Sequence, residues 1–163
     1  MKKGPLLIGV FLPLFSPAQV TFENLVVDTT LTGFHFAADF QGTHLYTPNG
    51  PSDLKSMNPS AFSFSIMRDA TREKALEQLG MYRRMSLSQG YEPNDVVEMD
   101  TTIAGLPVIG WSLRETMAGS DYENRVFEAF YVKDSTVVLF ISGDLDRGKH
   151  IENFKRTFFN AVR

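Results

Sequence analysis

Acid–base or metal chemistry in this sequence would have to draw on three histidines, His35, His44 and His150, and on nearby carboxylates, because the chain has no cysteine. Thiolate zinc sites, cysteine nucleophiles and disulfide scaffolds are thereby excluded. His35 and Asp39 stand four residues apart on an expected strand, about 13 Å, too far to share one ion. Asp39 and His44 can meet across a hairpin. They would then be either the acid–base pair of a secreted enzyme or a partly exposed cross-strand pair contributing about 0.2–1 kcal/mol. His150 opens an expected helix, where surface placement explains it. No histidine has a partner at a recognised metal-ligand spacing, so neither a metal nor another cofactor is expected. Ser142-Gly143-Asp144 follows a strand as a turn and lacks the nucleophile-elbow pattern. Glu98 with Asp100 and Asp144 with Asp146 read as solvated edges. The segment Asp144 to Gly148 lacks the acceptor spacing and terminal glutamate of a calcium loop. Gly110, Gly119 and Gly143 stand singly, which excludes a phosphate-cradling loop.

Binding is the function class that remains. Tyr46, Leu54, Met57 and Tyr91 place apolar groups in or beside turn-rich segments, and such groups are enriched in interface cores. They form a surface for a protein partner, or they pin the loop 48–61 onto its own domain. A different reading takes Met85, Trp111 and Phe127 as walls of a site for a small apolar ligand held between sheet and helix. An enclosed cavity of about 300 Å³ would favour that reading and a filled core would exclude it. The net charge of −3 lacks the basic excess of a nucleic-acid-binding protein.

The elements that must position these residues begin with a processing segment. Lys2 and Lys3, the apolar stretch Leu6 to Phe15, and Ser16-Pro17-Ala18 follow the plan of a secretory signal peptide over 1–18, cleaved after Ala18. The expected product is exported, periplasmic or extracellular. Its apolar stretch is too short to span a bilayer, and no later segment is longer. Residues 19–30 are a tether or a first strand, and 31–163 form one α+β domain of ordinary composition, 43% hydrophobic with 14 phenylalanines. The sequence does not specify an oligomeric state.

Phe34, Phe36, Ala38 and Phe40 alternate with polar or small residues, predicting a strand with those four on one buried face. Gln41-Gly42 is a two-residue turn that returns Thr43–Thr47 antiparallel and sets His44 opposite Asp39. Residues 48–61 are rich in Pro, Asn and Ser and read as a surface loop. Phe62, Phe64 and Ile66 alternate with Ser63, Ser65 and Met67 in an amphipathic strand. A helix over 71–89 follows, capped by Asp69 or Thr71, stopped at Gly90, with Ala75, Leu76, Leu79, Tyr82 and Met85 inward and Arg72, Glu73, Glu77, Arg83 and Arg84 outward. Strands over 95–103, 107–117, 123–133 and 136–142 are separated by short turns and predict an antiparallel meander. Glu115 interrupts the apolar face of Ile109, Trp111 and Leu113. A last helix over 147–162 turns Ile151, Phe154, Phe158 and Val162 onto the sheet. The fold expected is α+β: a largely antiparallel sheet of six to seven strands with helices on both faces, an α/β/α sandwich.

This order resembles the superfamily shared by the photosystem extrinsic protein PsbP and a Ran-binding nuclear import factor. The resemblance rests on Phe62-Ser-Phe-Ser-Ile66 leading into the helix, and on Thr101-Thr-Ile-Ala-Gly-Leu-Pro107 before the Trp111 strand. It also rests on Phe127-Glu-Ala-Phe-Tyr-Val132, Val137-Val-Leu-Phe-Ile-Ser142, and Phe154-Lys-Arg-Thr-Phe158 in the terminal helix. It covers about residues 34–162 and departs from the usual pattern in the extra loop 48–61 and in lacking a Pro-Gly-Trp segment after the first amphipathic strand. The resemblance implies a binding module or accessory factor in assembly or secretion, and it implies no enzyme.

Overall fold

The computed structural model describes residues 19–22, 25–56 and 59–162. The expected signal peptide 1–18 and the loop residue Met57 lie outside the described residues. Strands β1 (Gln19–Phe22) and β2 (Leu25–Asp28) pair antiparallel as a small sheet of their own. The main sheet has seven strands in the order β3-β4-β5-β9-β8-β7-β6, all antiparallel. They are β3 (His35–Phe40), β4 (Thr43–Thr47), β5 (Ala61–Arg68), β6 (Tyr91–Ile103), β7 (Leu106–Met117), β8 (Glu123–Lys133) and β9 (Thr136–Asp144). Helix α1 (Arg72–Ser88) follows β5 and α2 (Ile151–Ala161) ends the chain.

Side-chain alternation sends the two apolar sets of the central strands to opposite faces. Tyr46, Phe62, Phe64, Phe127, Tyr131 and Phe140 form one buried layer with Phe154 and Phe158 of α2 and Leu25 and Val27 of β2. Phe130, Val137 and Leu139 form the other with Ala75 and Leu79 of α1. The first layer is a chain of ring contacts, with centroids 4.8 Å apart for Tyr46–Phe62, 5.7 Å for Phe62–Phe140 and 5.5 Å for Phe140–Phe158. The expected α+β sheet with helices on both faces is what forms, with β9 at its centre. Tight turns join the meander because their residues accept the left-handed conformation: Gln41-Gly42, Ala104-Gly105 and Asp134-Ser135 all have positive φ.

Four local expectations are corrected. The even alternation over 34–40 fails at a register shift between Phe36 and Ala38. That bulge buries Ala37 and moves Phe40, 58% exposed, to the face opposite Phe36, which stays beside Tyr46 on the aromatic face and is 39% exposed at the sheet edge. Only Ala75 and Leu79 of the α1 stripe are buried; Leu76 and Met85 are exposed. Arg83, expected in solvent, is half-buried and lies over the Trp111 ring at 4.6 Å. The strand expected from 95 begins at Tyr91, because a second register shift between Asn94 and Val97, with Asp95 at positive φ, lets pairing continue past Pro93 on the outer edge.

Asp144 is also no solvated edge. It is fully buried, where its Oδ1 accepts from the Asp146 N–H at 2.9 Å and its Oδ2 from the His150 and Ile151 N–H groups at 2.5 and 3.0 Å. It caps α2, whose start is Ile151 instead of residue 147. The loop 48–61 contains a 3₁₀ turn, Gly50–Lys55, tied by the Asp53 carboxylate, which accepts from the Asn49 backbone N–H and Nδ2.

Candidate binding cleft

The sequence-predicted residues fall into separate places. Asp39 and His44 are register partners, as expected, with Oδ2 and Nε2 3.0 Å apart. Asp39 is half-exposed, its Oδ1 accepts from the Gly42 N–H, and the His44 ring rests near Phe36 at 5.7 Å. Leu54 stands on the 3₁₀ turn, 46% exposed. Tyr46 does not join it: the ring is fully buried between Phe36 and Phe62, and burial pushes its hydroxyl up to about 12. Tyr91 is half-buried at the opposite edge, stacked obliquely on Tyr122 at 4.8 Å.

The three residues expected to wall an apolar ligand site do not share one. Trp111 is the register partner of Glu128 and faces α1, whereas Phe127 points to the α2 side into the aromatic layer. The sheet separates them, so an enclosed pocket of Met85, Trp111 and Phe127 does not form.

A different arrangement lies between the C-terminal half of α1 and the sheet. It is an open cleft of about 270 Å³, lined by Arg83, Met85 and Ser86 of α1 and by Glu115, Asn124 and Glu128 of β7 and β8. Leu113, Val126 and Ile141 give it apolar walls. Glu128 is 7% exposed in the middle of β8, and its Oε2 accepts from Trp111 Nε1 at 2.6 Å. Burial pushes its carboxyl up to about 7, with the negative Glu115 adding to that and the Trp111 hydrogen bond and Arg83 opposing it. Both Glu115 oxygens are engaged: Oε1 accepts from Ser86 Oγ at 2.5 Å and Oε2 from Asn124 Nδ2 at 3.0 Å. Arg83 Nε and Nη2 are buried without a hydrogen-bond acceptor among the described residues, and Asn124 Oδ1 is buried without a donor.

Sequence reasoning missed Arg83, Asn124 and Glu128. The signal for Glu128 is a carboxylate at the centre of an otherwise apolar run, Val126 to Val132; Arg83 carried none, since charge on a helix flank ordinarily means solvent. Among the described residues no group of three or more His, Asp or Glu could hold a metal ion, and no helix is long and apolar enough to cross a membrane.

No protein family matches the sequence. No curated protein matches it either. Among solved structures, the chain is similar to PA94, a protein of unknown function from Pseudomonas aeruginosa, at 14% identity over 89% of this chain and 95% of that one, with a TM-score of 0.47. It is also similar to the cyanobacterial PsbP of Synechocystis, at 17% identity over 79% of this chain and 88% of that one, with a TM-score of 0.38. The second of these bears the PsbP name to which the sequence resemblance pointed.

Proposed function

We propose that this chain is an exported, non-catalytic binding or accessory protein of the cell envelope, which engages a protein partner where the 3₁₀ turn Gly50–Lys55 meets the edge strand β3. The observation that carries the reading is the exposure of two phenylalanines on that edge strand, Phe36 on the aromatic face and Phe40 on the opposite one, with Leu54 exposed on the turn. Most of the other phenylalanines described are buried, so two exposed on one short edge strand mark an edge shaped for something other than the core. The turn packs against the start of β3: a Cβ on Gly50 would sit 3.0 Å from the Phe36 carbonyl oxygen. That covers the Phe36 end of the edge, so a partner would be gripped by side chains more than by strand addition.

The test is recovery from envelope extract by residues 19–163, followed by reconstitution with the purified candidate. A single species that binds the parent saturably, and binds a Phe40→Ser, Leu54→Ser variant of equal melting temperature at least tenfold more weakly, supports the reading. Equal binding by the variant, or no saturable binding by the parent, overturns it. Export is checked separately by sequencing the N-terminus of the mature protein, with Gln19 expected first.

A further inference from the structure

The cleft under α1 holds three polar atoms left without hydrogen bonds among the described residues: Arg83 Nε, Arg83 Nη2 and Asn124 Oδ1. A buried donor or acceptor without a partner is unfavourable, and three in one cleft are a concentration that folding alone would not favour. The cleft's own carboxylates do not supply the missing acceptors. Each Glu115 oxygen already accepts one bond, from Ser86 or Asn124, Glu128 Oε2 accepts from the Trp111 indole N–H, and neither carboxylate lies within hydrogen-bond reach of Arg83 Nε or Nη2. Stacking of the guanidinium on Trp111 holds its plane in place without using its N–H groups.

The chemistry of those atoms defines a ligand. Nε and Nη2 lie along one edge of the planar guanidinium and offer two parallel N–H groups, the fork that fits the two oxygens of a carboxylate. Asn124 Oδ1 asks for an N–H donor. Leu113, Val126 and Ile141 line the same cleft, as does the exposed Met85, so the body of the ligand is apolar. A volume of about 270 Å³ holds a molecule of amino-acid size. Glu115 and Glu128 also line the cleft, so a doubly charged anion such as phosphate would be repelled there more strongly than a singly charged carboxylate.

We infer that this cleft binds a small monocarboxylate with an apolar side chain and a neighbouring amide N–H, the carboxylate on the Arg83 fork and the N–H on Asn124 Oδ1. An N-acylated apolar amino acid and the C-terminal residue of a peptide share this chemistry. The site is separate from the β3 corner and stands or falls independently of it.

Trp111 is the single tryptophan of the chain, so its fluorescence reports on the guanidinium stacked over it. The experiment titrates the full mature chain, residues 19–163, with N-acetylleucine and follows Trp111 emission, with amide chemical shifts as a second readout. Saturable binding is expected, with shifts at the cleft residues. The neutral N-acetylleucinamide should bind at least tenfold more weakly, as should N-acetylleucine to an Arg83→Lys variant, which keeps the charge and loses the fork. Asn124→Ala should weaken binding severalfold, and this variant together with the amide probe tests the site even if Arg83→Lys does not fold. A leucine-ended pentapeptide, free acid against amide, separates the sources: tighter binding of the free-acid peptide than of N-acetylleucine points to a chain terminus, and equal or weaker binding to a small molecule. Absence of saturable binding by both readouts overturns the inference. So does equal affinity for the acid and amide probes.

Discussion

Glu128 has a carboxyl group held largely out of water. Its carboxyl is moved from an ordinary value of 4.5 to about 7, chiefly because charge on it would be buried in the middle of the sheet. The folded state therefore keeps a proton that the unfolded chain gives up, and this carboxyl's contribution to stability is full below 4.5 and lost as pH rises to about 7. The loss amounts to roughly 3 kcal/mol. Glu128→Gln keeps an oxygen for Trp111 Nε1 and removes the ionisation. It should match the parent in urea unfolding near pH 4 and exceed it by up to roughly 3 kcal/mol at pH 8. An unchanged pH dependence in the variant would place the slope in another group. The same residue shows what could be read in the sequence and what could not. A lone Glu inside Val126–Val132 is visible, but its indole partner lies on the neighbouring strand, at a register that only the assembled sheet defines. Asp39 opposite His44 was legible because a two-residue turn fixes its register locally. Arg83 was not, because on a helix flank nothing local distinguishes a guanidinium over an indole from one in solvent.

Among the described glycines the closest approach to a neighbouring element is at Gly110, where β7 pairs with β8. A Cβ there would lie 2.3 Å from the Glu128 carbonyl oxygen and 2.7 Å from the Ala129 Cβ, and both of those atoms belong to a central strand with no room to shift. Gly110→Ala should cost at least about 3 kcal/mol and displace the Trp111–Glu128 pair one residue away, read as a lowered urea midpoint with altered tryptophan emission. A variant of parental stability would show that the strands can part. At the other end of the sheet, Asp144 joins β9 to α2 by accepting three backbone N–H groups that have no helical partner. Asp144→Ala should lose about 2–3 kcal/mol, while a substitution at exposed Asp146 two residues on should fall within about 0.5 kcal/mol. Equal effects of the two would reduce Asp144 to an ordinary acid. The meander, the turns and the apolar stripe of α2 were readable because each follows from period and spacing within one segment. The bulge at Ala37 was not: alternation in Phe34–Phe40 is unbroken in the sequence, and the break comes from matching β3 to β4.

At the scale of the whole molecule the two faces of the sheet are unequally covered. The aromatic face is closed by α2 together with β2, whereas α1 rests on β6, β8 and β9 and leaves Ser63 and Ser65 of β5 half-buried on its side. The β1–β2 hairpin is thus a structural part of the α2 layer. Leu25 and Val27 are buried against it, and α2 alone, with one apolar stripe, does not seal Phe34, Phe62 and Phe154 from water. Burial of two such aliphatic side chains is worth about 3–6 kcal/mol, a large share of the usual 5–15 kcal/mol of a domain. A chain beginning at residue 31 should therefore unfold at a much lower urea concentration than one beginning at Gln19, and should bind a hydrophobic dye through the exposed aromatic layer. Equal midpoints for the two would make the hairpin an ornament.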